Sequence, residues 1–318
     1  MAKPIAISCG EPAGIGPEIA AKAWEAVKAD IPVVWIGDPS HLPDGTAWGA
    51  FGDVDGTQAL PVIAHDFGAP ATPGKPNPIH AKGVIDAIAQ GVSLAQDGTC
   101  AAICTAPIHK AALIDGADFA YPGHTEYLAA LAGDVPVVMM LACDALRVVP
   151  ATIHIPLAAV PRQLTASVLT DTILVTHSAL RRDFGIAAPR IAVAGLNPHA
   201  GEDGKMGQEE IEMITPVLDA LRAEGMDIAG PLSADTMFHE GARATYDVAV
   251  CMYHDQALIP IKTLDFSGGV NVTLGLPFVR TSPDHGTAFD IAGHGTADAT
   301  SMIAALRMAH QMAQARDV

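Results

Sequence analysis

Short apolar runs that alternate with helical stretches limit the fold of this chain more than any other feature of its sequence. The clearest are PIAISCG, IPVVWIGD, TCAAIC, RIAVAG and DVAVCM. Their nearly continuous aliphatic character predicts strands that are buried on both faces. Strand–helix alternation along the chain predicts an α/β fold with a mostly parallel sheet. VPVVMMLACDALRVV differs, since its two apolar runs predict a hairpin or two adjacent strands.

Composition narrows the class of protein and its partners. Half of the residues are hydrophobic but only 5% are aromatic, so Ala, Val, Ile and Leu must build the core. The length of 318 residues allows one large α/β domain or two ordinary ones. A net charge of −17 argues against a nucleic-acid surface and an anionic membrane partner. A local basic pocket can still bind an anionic substrate.

Cysteine usage and the absence of long apolar runs indicate the compartment. The five cysteines are scattered, mostly within apolar runs, and none forms a Cys-x-x-Cys pair. This pattern predicts buried free thiols in a reducing environment. We find neither a signal-peptide core near the N-terminus nor an uncharged run of the ~18–20 residues that a membrane span needs. We therefore expect a soluble, cytoplasmic protein.

Polar residues at strand ends are the candidates for a site in the first half of the chain. Gly10, Gly14 and Gly16 form a glycine-rich turn before a helix, which suits either an anion cradle or close helix–strand packing. His109 and Lys110 form a polar pair that faces a cleft or simply starts a helix. His124 and Thr125 begin another helix, which Thr125 can cap.

Three histidines, His154, His199 and His254, each follow an apolar run. Ligand sites in parallel α/β sheets lie beyond the carboxyl ends of the strands, and three imidazoles there suit a divalent metal with an open position for substrate. The alternative is that each is a packed or capping residue, because the chain has 13 histidines. The loop around His199 also carries Lys205, and Asp235 lies in a later loop before a short helix.

Six segments resemble 4-hydroxythreonine-4-phosphate dehydrogenases of vitamin B6 synthesis. They are GEPAGIGPEI, YPGHTEYLA, GLNPHAGEDG, GPLSADTMF, MYHDQALIPIK and NVTLGLPFVRTSPDHGTAFDIAG. The resemblance implies an isocitrate/isopropylmalate dehydrogenase-like α/β fold with two α/β/α subdomains and a cleft between them. We expect residues 1–123 and 268–318 to form the first subdomain. Residues 124–267 then form the second, with most metal-site loops and the interface of a homodimer whose active site lies between subunits.

The resemblance also assigns roles to individual positions. The family's metal ligands match His154, His199 and His254, and its substrate-binding residues match His124, Thr125, Lys262, Asn271 and Arg280. Asp235 is our first candidate for the general base and Lys205 the second. The loop from Asp284 through Gly286 to Gly293 is our candidate for the cofactor contact. His109 and His294 depart from the family pattern without touching these sets.

The implied activity is NAD- or NADP-dependent oxidation of 4-phosphooxy-L-threonine at C3, followed by loss of CO₂ to give 3-amino-2-oxopropyl phosphate. A divalent metal (Zn, Mg or Co) held by the histidines can lower the pKa of the substrate hydroxyl. One alternative is a dehydrogenase of the same family that acts on 4-phosphothreonate or 4-phosphoerythronate. A metal-dependent phosphoester hydrolase and a non-catalytic binding module are the alternatives from other classes.

Overall fold

A computed structural model describes residues 2–316, which divide into two compact units. The first comprises the described residues up to Val135 together with those from Leu276 onward, and the second comprises Pro136–Gly275. The helix that begins at His124 lies in the first unit, whereas the sequence analysis assigned it to the second subdomain. Both units combine sheet and helices, so the prediction of an α/β fold is confirmed.

The first unit contains a sheet of six parallel strands. They are β1 (Ile5–Ser8), β2 (Val33–Gly37), β3 (Trp48–Ala50), β4 (Leu60–Ala64), β5 (Ala102–Thr105) and β12 (Val279–Pro283). Their spatial order is β3-β4-β2-β1-β5-β12, and every pairing is parallel. β1, β2, β5 and β12 are buried along their whole length, as expected for a parallel sheet covered by helices.

Five α-helices belong to the first unit. They are α1 (Gly16–Val27), α2 (Ala81–Gln96), α3 (Lys110–Ala117), α4 (His124–Leu131) and α10 (Thr300–Arg316). Short 3₁₀ turns cover Pro39–His41 and Pro78–His80. Helix α10, which is rich in Ala and Met, packs on β12 and on α1.

The second unit has a mixed sheet. Its strands are β6 (Val138–Cys143), β7 (Leu146–Pro150), β8 (Arg190–Ala194), β9 (Asp227–Leu232), β10 (Val248–Cys251) and β11 (Val270–Leu274). Their order is β11-β6-β7-β10-β8-β9. β6 runs antiparallel to both of its neighbours, and the remaining pairs are parallel. The antiparallel β6–β7 pair is the predicted hairpin.

The helices of the second unit include one irregular turn. The α-helices are α5 (Val160–Gln163), α6 (Ala166–Phe184), α7 (Thr215–Ala223), α8 (Glu240–Arg243) and α9 (His254–Leu264). Short 3₁₀ turns cover Leu157–Ala159, Pro198–Gly201 and Ala234–Thr236, and a π-helical turn, Glu210–Ile214, precedes α7. Pro216 lies in the first turn of α7, where a proline is tolerated because its missing N–H has no partner within the helix.

Candidate active site

Three adjacent strands of the second unit deliver the three histidines to one edge of the sheet. β10 lies between β7 and β8 and is parallel to both. His154 follows β7, His254 follows β10 and His199 follows β8, each within a few residues of the strand's carboxyl end. Sheet topology therefore brings together loops that are far apart in sequence.

His154 and His254 are neighbours in this unit. Their ring centroids lie 5.9 Å apart, and both rings line one pocket together with Thr152, Tyr253 and Asp255. The Nδ1 atom of His254 lies 2.7 Å from Oδ1 of Asp255, so Nδ1–H donates to the carboxylate. This hydrogen bond leaves Nε2 as the acceptor of the ring, which is the form in which imidazole binds a metal.

His199 is exposed and adopts a left-handed conformation, with φ of 52°. It lies in the 3₁₀ turn Pro198–Gly201, which contacts the turn that carries Asp235. Across residues 2–316 we find no group of three or more His, Cys, Asp or Glu side chains close enough to hold a metal ion. The structure thus brings His154 and His254 together and leaves His199 outside that pair.

Two hydrogen-bonding side chains connect the histidine loops, and sequence reasoning missed both. Thr152 Oγ1 donates to the carbonyl of Met252 at 2.7 Å, which joins the His154 loop to the His254 loop. Gln256 accepts from the Met252 N–H at 2.7 Å and donates to the carbonyl of Gly195 at 2.8 Å, which joins the His254 loop to the His199 loop. Their position two residues from a histidine was the available signal.

The two candidate bases lie near His199. The Asp235 carboxylate is exposed and accepts a hydrogen bond from the Ser233 hydroxyl. That bond is the main reason why the pKa of Asp235 lies below its usual value, and His199 contributes a smaller lowering effect. Asp235 is therefore ionised at neutral pH. Lys205 is exposed at the end of the turn that follows His199.

Lys262 and Asn271 do not line the pocket that contains His154 and His254. Helix α9 begins at His254, directly after β10, and packs back along the sheet. With a rise of ~1.5 Å per residue, Lys262 lies about 12 Å further along the axis than His254. Asn271, the second residue of β11, pairs with Leu141 of β6, which in turn pairs with Val148 in the middle of β7. The structure therefore does not bring these two residues together with the three histidines.

The first unit holds a buried cation next to a neutral imidazole. Arg280 on β12 is 3% exposed, and its Nη2 donates to Thr105 Oγ1 at 2.7 Å. Burial lowers the pKa of Arg280 to about 10, so the guanidinium stays charged at neutral pH. Burial, and secondly the charge of Arg280, hold the pKa of His124 well below its usual value. The pair combines a fixed charge with a neutral hydrogen-bonding ring.

Helix α4 presents His124 and Thr125 in its first turn. The cap residue is Gly123, and no side chain caps the helix, so the prediction that Thr125 caps it is wrong. His124 Nε2 is buried and has no hydrogen-bond partner in the described structure. Neither of these two side chains therefore caps α4.

The predicted cofactor loop lies against the glycine-rich turn. The carbonyl of Thr287, inside the Asp284–Gly293 loop, accepts from the Ile15 N–H at 3.0 Å. Gly10 has a φ of 69°, and a side chain there would meet the Pro107 carbonyl at 2.4 Å. The N–H groups of Gly14 and Ile15 already donate to carbonyls of Glu11 and Thr287, respectively. These contacts favour close packing over an anion cradle for the turn.

The same region contains a buried carboxylate and an aromatic contact. Glu11 is 1% exposed and accepts from the Ala13 N–H at 3.0 Å, and burial raises its pKa above the usual value. His109 packs edge-on against Phe289 of the predicted cofactor loop, with ring centroids 5.0 Å apart. Sequence reasoning missed Glu11, since the surrounding GEPAG segment has the composition of an ordinary turn.

Comparison with known proteins decides the family. The profile described as "Pyridoxal phosphate biosynthetic protein PdxA" matches residues 19–309. The chain belongs to this family. A PdxA relative from Roseobacter denitrificans, named 4-hydroxythreonine-4-phosphate dehydrogenase, is 65% identical over 98% of this chain and 97% of its own length. A second relative of that name, from Paracoccus denitrificans, is 62% identical over 99% of both chains.

Solved structures agree with this assignment to the PdxA family. A 4-hydroxythreonine-4-phosphate dehydrogenase from Klebsiella pneumoniae superposes with a TM-score of 0.90 at 40% identity, over 99% of each chain. A terephthalate 1,2-cis-dihydrodiol dehydrogenase from Burkholderia xenovorans gives a TM-score of 0.70 at 29% identity, over 98% of each chain. The protein is accordingly an oxidoreductase of the PdxA family. None of the helices described between residues 2 and 316 is long and apolar enough to cross a membrane.

Proposed function

We propose that this protein oxidises the C3 hydroxyl of 4-phosphooxy-L-threonine and releases CO₂ to give 3-amino-2-oxopropyl phosphate. The observation that carries the proposal is the 65% identity, over 98% of the chain, to a relative named for this substrate. The reaction removes a hydride from C3 and a proton from its hydroxyl. The resulting ketone lies β to the carboxylate, so it accepts the electron pair of the C–CO₂ bond when CO₂ leaves.

His154, His254 and His199 would hold a divalent metal. The rings of His154 and His254 are 5.9 Å apart, and Asp255 holds the proton of His254 on Nδ1, so these two imidazoles suit an ion of the zinc class. When bound, the metal supplies a Lewis acid that lowers the pKa of the substrate hydroxyl and polarises the ketone. The hydrogen bonds of Thr152 and Gln256 connect the three histidine loops to one another.

Charged and polar groups would anchor the substrate. A phosphate or carboxylate beside Arg280 would offset the cost of burying its guanidinium, which is already fixed by Thr105. His124, held neutral by its surroundings, can donate or accept a hydrogen bond from the first turn of α4. Thr125, Lys262 and Asn271 complete the proposed contacts with the substrate.

Proton transfer and hydride transfer would use separate parts of the chain. We propose that Asp235 accepts the proton of the C3 hydroxyl, with Lys205 as the alternative base, because both residues lie near His199. An NAD-type cofactor, NAD or NADP, supplies the hydride acceptor when it is bound. The loop with Asp284, Gly286 and Gly293 would contact it, supported by the packing of that loop on the first strand–helix turn.

A homodimer with the active site between subunits accounts for the distribution of these residues. Neither Lys262 nor Asn271 lines the pocket that contains His154 and His254, so a second copy would supply them. Exposed apolar side chains of the same unit support an interface, namely Leu157 at 68% exposure, Ile259 at 63% and Phe266 at 77%. We propose a cytoplasmic enzyme of this form.

Reduction of the cofactor, followed at 340 nm, tests the reaction. Purified protein with NAD or NADP and a divalent metal should reduce the cofactor with 4-phosphooxy-L-threonine as substrate. Reduction only with 4-phosphothreonate or 4-phosphoerythronate would assign the other activity of the family. Release of inorganic phosphate without cofactor reduction would indicate a phosphoester hydrolase, and ligand binding without turnover would indicate a binding module.

A further inference from the structure

The turn that presents His199 has an unusual backbone. His199, Ala200, Glu202 and Asp203 have φ values of 52°, 50°, 43° and 55°, and the intervening Gly201 has 81°. Non-glycine residues adopt this left-handed region at a cost in free energy, usually one at a time. Such a run persists only where surrounding contacts hold it in place.

Those contacts come from a buried carboxylate in the next segment of the chain. Glu210 is 2% exposed, and its Oε1 accepts from the backbone N–H of Asn197 at 2.8 Å. Its Oε2 accepts from Asn197 Nδ2 at 3.0 Å, and Oε2 of Glu209 accepts from the same nitrogen at 2.7 Å. Asn197 is the residue from which the His199 turn begins, so the carboxylate fixes the base of the turn.

The carboxylate of Glu210 also fills the space beneath the turn. A side chain at Gly201 would lie 2.6 Å from Oε2 of Glu210, and one at Gly195 would lie 3.2 Å from its Oε1. The helix departs from α geometry here, since the π-helical turn begins at Glu210. π-helical turns are rare in proteins, and those that occur often lie at functional sites.

We propose that Glu210 is a positioning residue, which acts through Asn197 to fix the turn that carries His199, from which His199 would reach the metal. Glu210 itself touches neither metal nor substrate. The inference rests on the metal set of the proposed function, and it extends that set by one indirect partner. Side chains that orient a metal ligand typically change metal affinity by about 10- to 100-fold when they are replaced.

Cobalt binding by the metal-free full-length protein tests this role, with affinity measured by competition against a chelator. E210Q removes the charge and places an amide against Asn197 Nδ2, so we expect Co²⁺ to bind about 10- to 100-fold more weakly. E212Q is the matched control, because Glu212 is exposed in the same π-helical turn. Its Co²⁺ affinity should stay within about 2-fold of the wild type, as for a solvated surface charge.

The possible outcomes distinguish an error in the proposed metal set from an error in the proposed role of Glu210. If H199A binds Co²⁺ as tightly as the wild type, the proposed metal set is wrong. If H199A loses binding but E210Q keeps wild-type affinity, or if E212Q weakens binding as much as E210Q, the role of Glu210 is wrong. Melting in chelator checks that E210Q is folded.

A second variant covers the case in which E210Q does not fold. N197D replaces the side-chain amide of Asn197, which donates to Glu209 and Glu210, with a carboxylate that faces both of them. This variant should weaken Co²⁺ binding about as much as E210Q does. The double variant N197D/E210Q restores one donor–acceptor pair with reversed polarity and should recover part of the lost affinity. Wild-type affinity in N197D, or no recovery in a folded double variant, would overturn the proposal.

Discussion

At the scale of single residues, burial sets the charge states on which the proposed chemistry depends. Arg280 is buried yet remains a cation, because its pKa falls only to about 10. His124, close to that cation, is kept neutral by desolvation first and by repulsion second. A fixed positive charge beside a neutral ring suits an anionic substrate, since His124 then adds a hydrogen bond without a second charge.

The guanidinium of Arg280 should matter for its shape as well as for its charge. In R280K the charge remains, but the planar set of donors that can bind an oxyanion at two points is lost. A charged hydrogen bond contributes about 1.5–3 kcal/mol, so KM for the phosphorylated substrate should rise about 10- to 100-fold. Steady-state kinetics at 340 nm would measure this KM, with R182K, at the ion pair between Arg182 and Asp183, as a control. An unchanged KM would exclude Arg280 from substrate binding.

The thiols should be unreactive while the protein is folded. All five cysteines are free and buried, and burial raises the pKa of each, to about 12 for Cys100 and Cys104. Because the thiolate is the reactive form, a disulfide reagent should label the native protein slowly and the unfolded protein at all five positions. One thiol that reacts rapidly under native conditions would contradict this burial pattern.

At the scale of helices and strands, local signals account for the ends of some elements and not others. Helix α6 ends at Phe184 with Gly185 in the left-handed conformation, as the Arg-Arg-Asp-Phe-Gly sequence predicts. The start of helix α4 has no comparable signal, because its N-terminal cap residue is Gly123 and the polar residues of its first turn do not cap it. The sequence therefore predicts where α6 ends but not how α4 begins.

The N-terminal cap of α6 gives a measurable test of an element. Thr165 accepts a hydrogen bond from the Val168 N–H at 3.2 Å, which satisfies one donor of the first turn. T165A should lower the free energy of unfolding by about 1 kcal/mol. Urea denaturation would measure this loss. S167A, in the exposed part of the same turn, should change stability by less, and an equal loss in both variants would argue against the cap.

At the scale of the whole molecule, stability should depend on pH through one buried and one half-buried histidine. His41 and His80 of the first unit both approach the carbonyl of Ala69, at 3.4 and 3.1 Å. Desolvation is the main reason why the pKa of each lies below its usual value of 6.5, although Asp38 acts in the opposite direction on both. The unfolded chain therefore binds protons that the folded chain does not, and stability is lost as pH falls below 6.5.

Thermal melts across pH 5.5–7.5 would test this dependence. We expect Tm to fall as the pH is lowered through this range, and the fall should be smaller in H80Q, whose amide keeps a donor for Ala69 without titrating. Glu11 acts with the opposite sign, because its raised pKa favours the folded state as protons are added. H294Q, at an exposed position, is the control. Equal slopes for H80Q and the wild type would refute the role of His80.

Sharing of the active site between subunits is testable with mixed dimers. H199A and K262A should each be inactive alone, and a verified heterodimer of the two should recover activity if these positions serve one site from different chains. One of its two sites would then contain both native residues. Size-exclusion chromatography must first establish that the wild type is a dimer. Absence of recovery in verified heterodimers would place both residues in one chain's site.

Sequence predicted the strands and most helices because their signals are local. The α/β class follows from aliphatic runs alone, and the hairpin of β6 and β7 follows from two such runs at close spacing. The adjacency of β7, β10 and β8 is different, because strand order depends on packing between distant segments. The contacts of Glu210 with Asn197 and of Gln256 with Gly195 depend on that order, so no sequence window around either residue predicts them.

The discontinuity of the first unit has a consequence for synthesis on the ribosome. β5 pairs with β12, and α1 packs against α10, yet these partners are translated after the entire second unit. The inserted unit can therefore complete its sheet while the earlier one still exposes the edge of β5. Exposed strand edges pair readily with other chains. The segment made first is thus the one that waits longest for its final contacts, and during that interval it is the part of the nascent chain most in need of a chaperone.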